Sequence, residues 1–283
     1  MQFEFAGTLG VPDGRYLARE GGDEGVQRVL VVQTTGAPPP ARRKRRAREA
    51  EPGAEPAPLP LTRVMAVRAQ EPFDSAEEAQ GWLDDAVASE GSVDALIDEG
   101  IALLNRALHA SAVAGADPLG AELSPQRATI VRIGYGSGEE VAAGRFAAAR
   151  HLDPRAGGSR RQQREEELRP QERLAAVLGG RERLDACETL LLRARADLDA
   201  GRRREAALQL RVALEALLIE LDGALVDPGH EEDMGELGAR RQEAGAAANT
   251  AVRGDLSPET TQQVEELIQL CERVLRRRRV LRG

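Results

Sequence analysis

From Gln171 to the end of the chain, apolar residues can be followed in rows at three- and four-residue spacing. That period gathers them on one stripe of a helix. Leu184, Cys187, Leu191, Ala194 and Leu198 form the first stripe, and Gly201 stands where a helix-stopping glycine belongs. Leu210, Leu214, Leu217, Leu218, Leu221 and Leu225 form the second. Asp233 to Thr250 is alanine-rich and carries the weakest helical pattern of the region. Ser257-Pro258-Glu259 reads as an N-cap with proline at the first helical position. It opens a helix with Val264, Leu267, Ile268, Cys271, Val274 and Leu275 on one face, and Arg276 to Arg279 complement its C-terminal dipole. Helices of this kind bury their stripes only against one another, so residues 171–283 read as an all-α bundle.

The first half has another grammar. Gln2 to Thr8, Arg15 to Arg19 and the β-branched run Val26 to Thr35 read as strands, the first two joined by the turn Pro12-Asp13-Gly14. Residues 37–60 combine prolines with the run Arg42, Arg43, Lys44, Arg45, Arg46, Arg48 and too few apolar residues to offset ordering entropy, which predicts a disordered insertion. Strand character resumes over Leu61 to Ala69, so the insertion is expected to interrupt one sheet rather than divide two domains. Ser75 and Glu78 form a capping box, and helix is expected to Val113 with a break at Gly91-Ser92. Arg127 to Ile133 reads as a short buried strand, followed by a glycine-rich turn and a helix over Glu139 to Leu152. The fold class expected is α+β over residues 1–153 with a small mixed or antiparallel sheet, then a linker over 154–170, then the bundle.

Composition narrows the function classes. Of 39 basic residues only Lys44 is lysine, a bias that, with abundant Ala and Gly, has the look of a GC-rich bacterial genome. Seven aromatic residues in 283 argue against base-stacking platforms. Residues 61–157 hold nearly all of the net charge of −8 and would repel phosphate, which speaks against a nucleic-acid face there. Cys187 and Cys271 sit in apolar stripes and read as buried thiols of a reducing compartment. No zinc spacing is present, no motif calls for a cofactor, and no catalytic residue can be singled out. No stretch reaches 18 apolar residues, and the first residues carry no signal-peptide pattern, so a cytoplasmic location without a membrane span is expected.

Two constellations are candidates for binding. Gly134, Gly136, Ser137 and Gly138 follow a strand and precede a helix, an arrangement that can bring backbone amides to a phosphate or nucleotide. It departs from both dinucleotide and Walker patterns. Ser137 and Glu140 read as a capping box, with Glu139 and Glu140 where an anion would sit; the alternative is a tight connection whose glycines take unusual backbone angles. The second candidate is electrostatic. Residues 74–99 hold nine acids, Asp84 and Asp85 among them, and no base, so the run with Arg42, Arg43, Arg45 and Arg46 could dock on this helical surface. Asp227 to Asp233 reads as a solvated interhelical loop with oxygen ligands but without the order of a calcium site.

The stretch Ala194-Arg195-Ala196-Asp197-Leu198-Asp199-Ala200-Gly201, then Glu205-Ala206-Ala207 and Arg211 to Leu218, resembles the first helix pair of HEPN-type bundles, and tetratricopeptide helix pairs look similar. The resemblance covers residues 190–222. HEPN members that cleave RNA carry an Arg four to six residues before a His. Beyond residue 158 the one histidine is His230, whose nearest preceding arginine is Arg211, while Arg145 and His151 have the spacing outside the resembling segment. The resemblance therefore implies a docking or dimerisation bundle without ribonuclease activity. The function expected is a non-enzymatic adaptor or assembly protein that binds another protein or itself. The alternative is a phosphate- or nucleotide-binding domain or enzyme using the Gly134–Gly138 turn.

Overall fold

The computed structural model describes residues 1–19, 28–36, 59–69, 72–153, 171–223 and 227–282. It divides into two compact units, Met1–Gly157 and Gly158–Gly283. The expected linker 154–170 and the insertion as far as residue 58 lie outside the described residues.

The first unit is an antiparallel sheet of six strands: β1 (Gln2–Ala6), β2 (Gly14–Ala18), β3 (Arg28–Thr35), β4 (Leu61–Arg68), β5 (Ile130–Tyr135) and β6 (Ala148–Leu152). Their order is β2-β3-β4-β1-β5-β6, with every pair antiparallel. β3 and β4 pair along their whole length, from Arg28↔Arg68 to Thr35↔Leu61, so the Pro/Arg-rich segment connects the two arms of one hairpin within one sheet.

Alternation along the strands gives the sheet two unlike faces. One presents Phe3, Phe5, Leu30, Val32, Val64 and Val131 to Ile97, Ile101, Leu104 and Leu108 of α2 (Glu90–Gly115), and Ile133 to Leu83 and Ala86 of α1 (Ala76–Ala86). The other presents Val31 and Met65 to Val141, Ala142 and Phe146, within or just after the short α3 (Gly138–Ala142). Ser75 caps α1 by accepting from the Glu78 N–H, as its capping pattern predicts. The break between α1 and α2 falls over residues 87–89 rather than at Gly91-Ser92. Ser89 caps α2 by accepting from the Ser92 N–H, which leaves Gly91 inside the first turn.

The expected helix over Glu139 to Leu152 is not formed. α3 closes after five residues, Gly144 takes a left-handed φ of 77°, and Ala148–Leu152 becomes the edge strand β6. The reason is tertiary. β5 would otherwise expose unpaired backbone groups along one side, and β6 satisfies them from Val131↔Leu152 to Tyr135↔Ala148.

The second unit is helical: α4 (171–178), α5 (Ala186–Asp199), α6 (Arg203–Glu220), α7 (Pro228–Ala239), α8 (Arg241–Arg253) and α9 (Pro258–Arg282). Its core joins Cys187, Leu191 and Ala194 of α5 to Leu210, Leu214 and Leu217 of α6 and to Val264, Leu267, Ile268, Cys271 and Val274 of α9. The alanine-rich region resolves into α7 and α8, and α8 packs through Ala244, Ala247 and Ala251. Gly201, with φ 74°, turns the chain between α5 and α6. Leu184 falls before α5 and is 61% exposed, so it leaves the stripe in which its spacing placed it. Asp227 to Asp233 is a helix start rather than a loop: Asp227 caps α7 by accepting from the His230 N–H, and Pro228 follows.

Charged groups tie α5 to its neighbours. The Glu220 carboxylate accepts from the Ala186 and Cys187 N–H groups at 3.1 and 2.9 Å, tying the end of α6 to the start of α5. Arg195 clamps Glu272 of α9 with two hydrogen bonds of 2.9 and 3.0 Å.

Candidate functional site

The glycine-rich turn is built by close packing. Gly134 is the penultimate residue of β5. A Cβ there would fall well inside contact distance of the Ala148 carbonyl and 2.9 Å from the Phe146 ring. A Cβ on Gly136 would lie 3.0 Å from the Ala147 nitrogen, whereas Gly138 has open space around it. None of the three has a left-handed φ, so the demand is for absence of bulk and not for unusual angles. Ser137 occupies the N-cap position of α3 without a side-chain cap bond. The capping box is replaced by two outward ion pairs. Arg15 of β2 donates to Glu139 at 2.8 and 2.5 Å, and Arg145 donates twice to Glu140. Each guanidinium holds its carboxylate below the usual range, so both stay charged beside the short helix.

The acidic surface is partly matched within its own unit. Asp84 accepts from Gln80 at 2.9 Å and pairs with Arg150 of β6 at 3.2 Å. Glu99 is taken by Arg68 and Arg28. Asp85 is exposed on α1, with no ion pair among the described residues. Arg42, Arg43, Arg45 and Arg46 lie outside the described residues.

The described residues assemble no reactive constellation. No group of three or more His, Cys, Asp or Glu among them could hold a metal. Burial, with Glu220 adding its charge in one case, pushes the Cys187 and Cys271 thiols up to about 12, the opposite of an activated nucleophile. A polar cleft of about 400 Å³ opens at the α5–α6 turn, lined by Gly201, Arg202, Arg203, Arg204, Glu205, Asp255 and Leu256. Two of its three arginines are engaged inside the fold, Arg202 by Asp197 at 2.8 Å and Arg204 by the Ala251 carbonyl at 2.8 Å.

What the bundle does offer is a second apolar face. α6 buries Ala206, Leu210, Ala213, Leu214 and Leu217, yet Leu208, Val212 and Ile219 on its far side are 38%, 53% and 77% exposed. Steps of four and seven residues align these three in one row. α8 runs antiparallel beside them. Arg241 at its start donates to Glu215 at 2.7 Å, and Asn249 near its end accepts from Arg211 at 3.3 Å. Val252, 66% exposed, shares that side of α8 by helical spacing with Arg241 and Asn249. Leu208, Val212 and Ile219 thus form an exposed apolar row flanked by these polar pairs. The core stripe is visible in the sequence, but this outer row is not, because α6 is apolar on two sides and only packing shows which side is occupied.

No family model, no curated protein and no solved structure matches this chain. Among the described residues, no helix is long and apolar enough to cross a membrane.

Proposed function

We propose that the protein is an assembly protein that pairs with a second copy of itself through the outer face of α6. The observation that carries this reading is the exposed row Leu208, Val212 and Ile219, with Val252 beside it. Scattered exposed leucines are ordinary, but a row on a helix already committed to the core on its other side is not. With Glu215 the row has spacings of four, three and four residues, which read the same in both directions. An antiparallel pairing centred between Val212 and Glu215 brings Leu208 of each copy against Ile219 of the other. The α5–α6 pair is also the segment that resembles HEPN-type and tetratricopeptide-type docking modules, which favours the same role. The role we read is adaptor-like rather than enzymatic, and we assign it to the cytoplasm.

A standard interface buries about 800 Å² per partner, and four apolar side chains supply less, so association in the micromolar range is expected. The test is sedimentation of the full chain at tens of micromolar. Wild type should self-associate, and the double variant Val212→Glu/Ile219→Glu should be monomeric with unchanged helicity and a stability within about 0.5 kcal/mol, since both side chains are exposed. A wild type that stays monomeric would contradict self-pairing.

A further inference from the structure

The centre of the sheet holds a polar cluster on the face turned away from α1 and α2. Gln2 and Glu4 of β1 are 0% and 5% exposed, a depth at which strand alternation normally places apolar side chains. Glu4 Oε1 accepts from Gln2 Nε2 at 2.7 Å and from Arg63 Nε at 3.1 Å, and Arg132 Nη2 approaches the same oxygen only to 3.7 Å. One carboxylate therefore faces two guanidinium groups, and Arg63 takes the hydrogen bond.

The second guanidinium is left incomplete. Arg132 Nε is buried without a hydrogen-bond partner, and so is Gln2 Oε1. Glu4 fixes the Gln2 amide orientation, since turning it would set oxygen against oxygen. The two residues stand directly opposite each other in the β1–β5 register, and His151 stands opposite Arg132 on its other side, in β6. A buried donor and a buried acceptor left unpaired are costly.

We propose that Arg132, with Arg63 and His151 around it, binds a phosphate or phosphate monoester. The chemistry selects this class. Arg132 Nε lacks an acceptor, and Gln2 Oε1 lacks a donor. A hydrogen phosphate carries both charged acceptor oxygens and a hydroxyl. Arginine forms charge-assisted bonds with such oxygens, and the Arg132 side chain, 27% exposed, can turn outward to carry the ligand. A simple carboxylate satisfies the arginine and leaves Gln2 unpaired. This site is separate from the α6 face and does not depend on that reading.

The experiment is titration of the full chain with inorganic phosphate at constant ionic strength, followed by ³¹P line broadening and by the thermal midpoint. Wild type should give a saturable response. Arg132→Gln should weaken it at least about tenfold, as expected for loss of a charged hydrogen-bonding partner. His151→Ala, a change at an exposed edge position that leaves the fold intact, should weaken it severalfold, whereas Arg106→Gln on α2 should leave it unchanged. A non-saturable wild-type response, equal binding by Arg132→Gln and wild type, or an equal response to acetate would each overturn the assignment.

Discussion

Gly134→Ala is expected to destabilise the first unit by about 2–3 kcal/mol, the scale of forcing extra volume into a packed site. The added methyl would press on the Ala148 carbonyl and the Ala149 side chain, both held by the β5–β6 pairing, and on the Phe146 ring, so the paired residues cannot yield without opening the edge of the sheet. Hydrogen exchange of the Ala148–Leu152 amides should rise with the loss. Gly138→Ala is the matched contrast. The space around Gly138 is open, and alanine in a helical first turn replaces a residue of higher unfolded-state entropy, so a gain of up to about 0.5–1 kcal/mol is expected. Chemical denaturation of the two variants separates a packing role for the turn from a ligand cradle. A neutral Gly134→Ala would contradict the packing account.

Leu214→Ala should cost about 2–5 kcal/mol in the second unit. Leu214 is 1% exposed among side chains of the α5–α6–α9 core, whose neighbours are themselves buried and cannot readily collapse into the space left. Against a typical total of about 5–15 kcal/mol, that loss moves the denaturant midpoint far enough to be unmistakable in far-ultraviolet dichroism. Ile219→Ala on the same helix should change stability by less than about 0.5 kcal/mol, because its side chain is 77% exposed. Leu214 and Ile219 are five positions apart on one helix, yet they probe opposite sides of it.

The bundle was legible because its stripes keep one period over many turns and because its signals agree: Gly201 stops α5, Ser257 accepts from the Thr260 N–H, and Pro258 follows. β3 and β4 were legible through their β-branched residues. β6 was not. Ala-Ala-Arg-His-Leu has no strand preference of its own, and α3 before it continues a helical pattern, so pairing with the β5 edge overrides local propensity. The alternation Gln2-Phe3-Glu4-Phe5 announces a two-faced strand but assigns its polar side to solvent. Only the fold shows Gln2 and Glu4 covered. Arg15, Arg63 and Arg132 sit far apart in the chain and meet their carboxylates through sheet register and the position of α3, which no local motif records. The outer row of α6 was hidden for a simpler reason: both of its stripes are apolar, and the buried one is the longer.

The α6 pairing can be tested directly with two single-cysteine reporters, Leu208→Cys and Ile219→Cys. Cys187 and Cys271 are buried thiols with raised pKa values and stay silent in the native protein. In the antiparallel arrangement each reporter faces the other across the contact, while identical reporters stand eleven residues, or about 16 Å, apart along the helix. Under mild oxidation an equimolar mixture of the two variants should form a disulfide-linked dimer joining one of each, and either variant alone should not. Equal cross-linking in the single-variant samples, or none in the mixture, would contradict the proposal that this face pairs two copies of the chain.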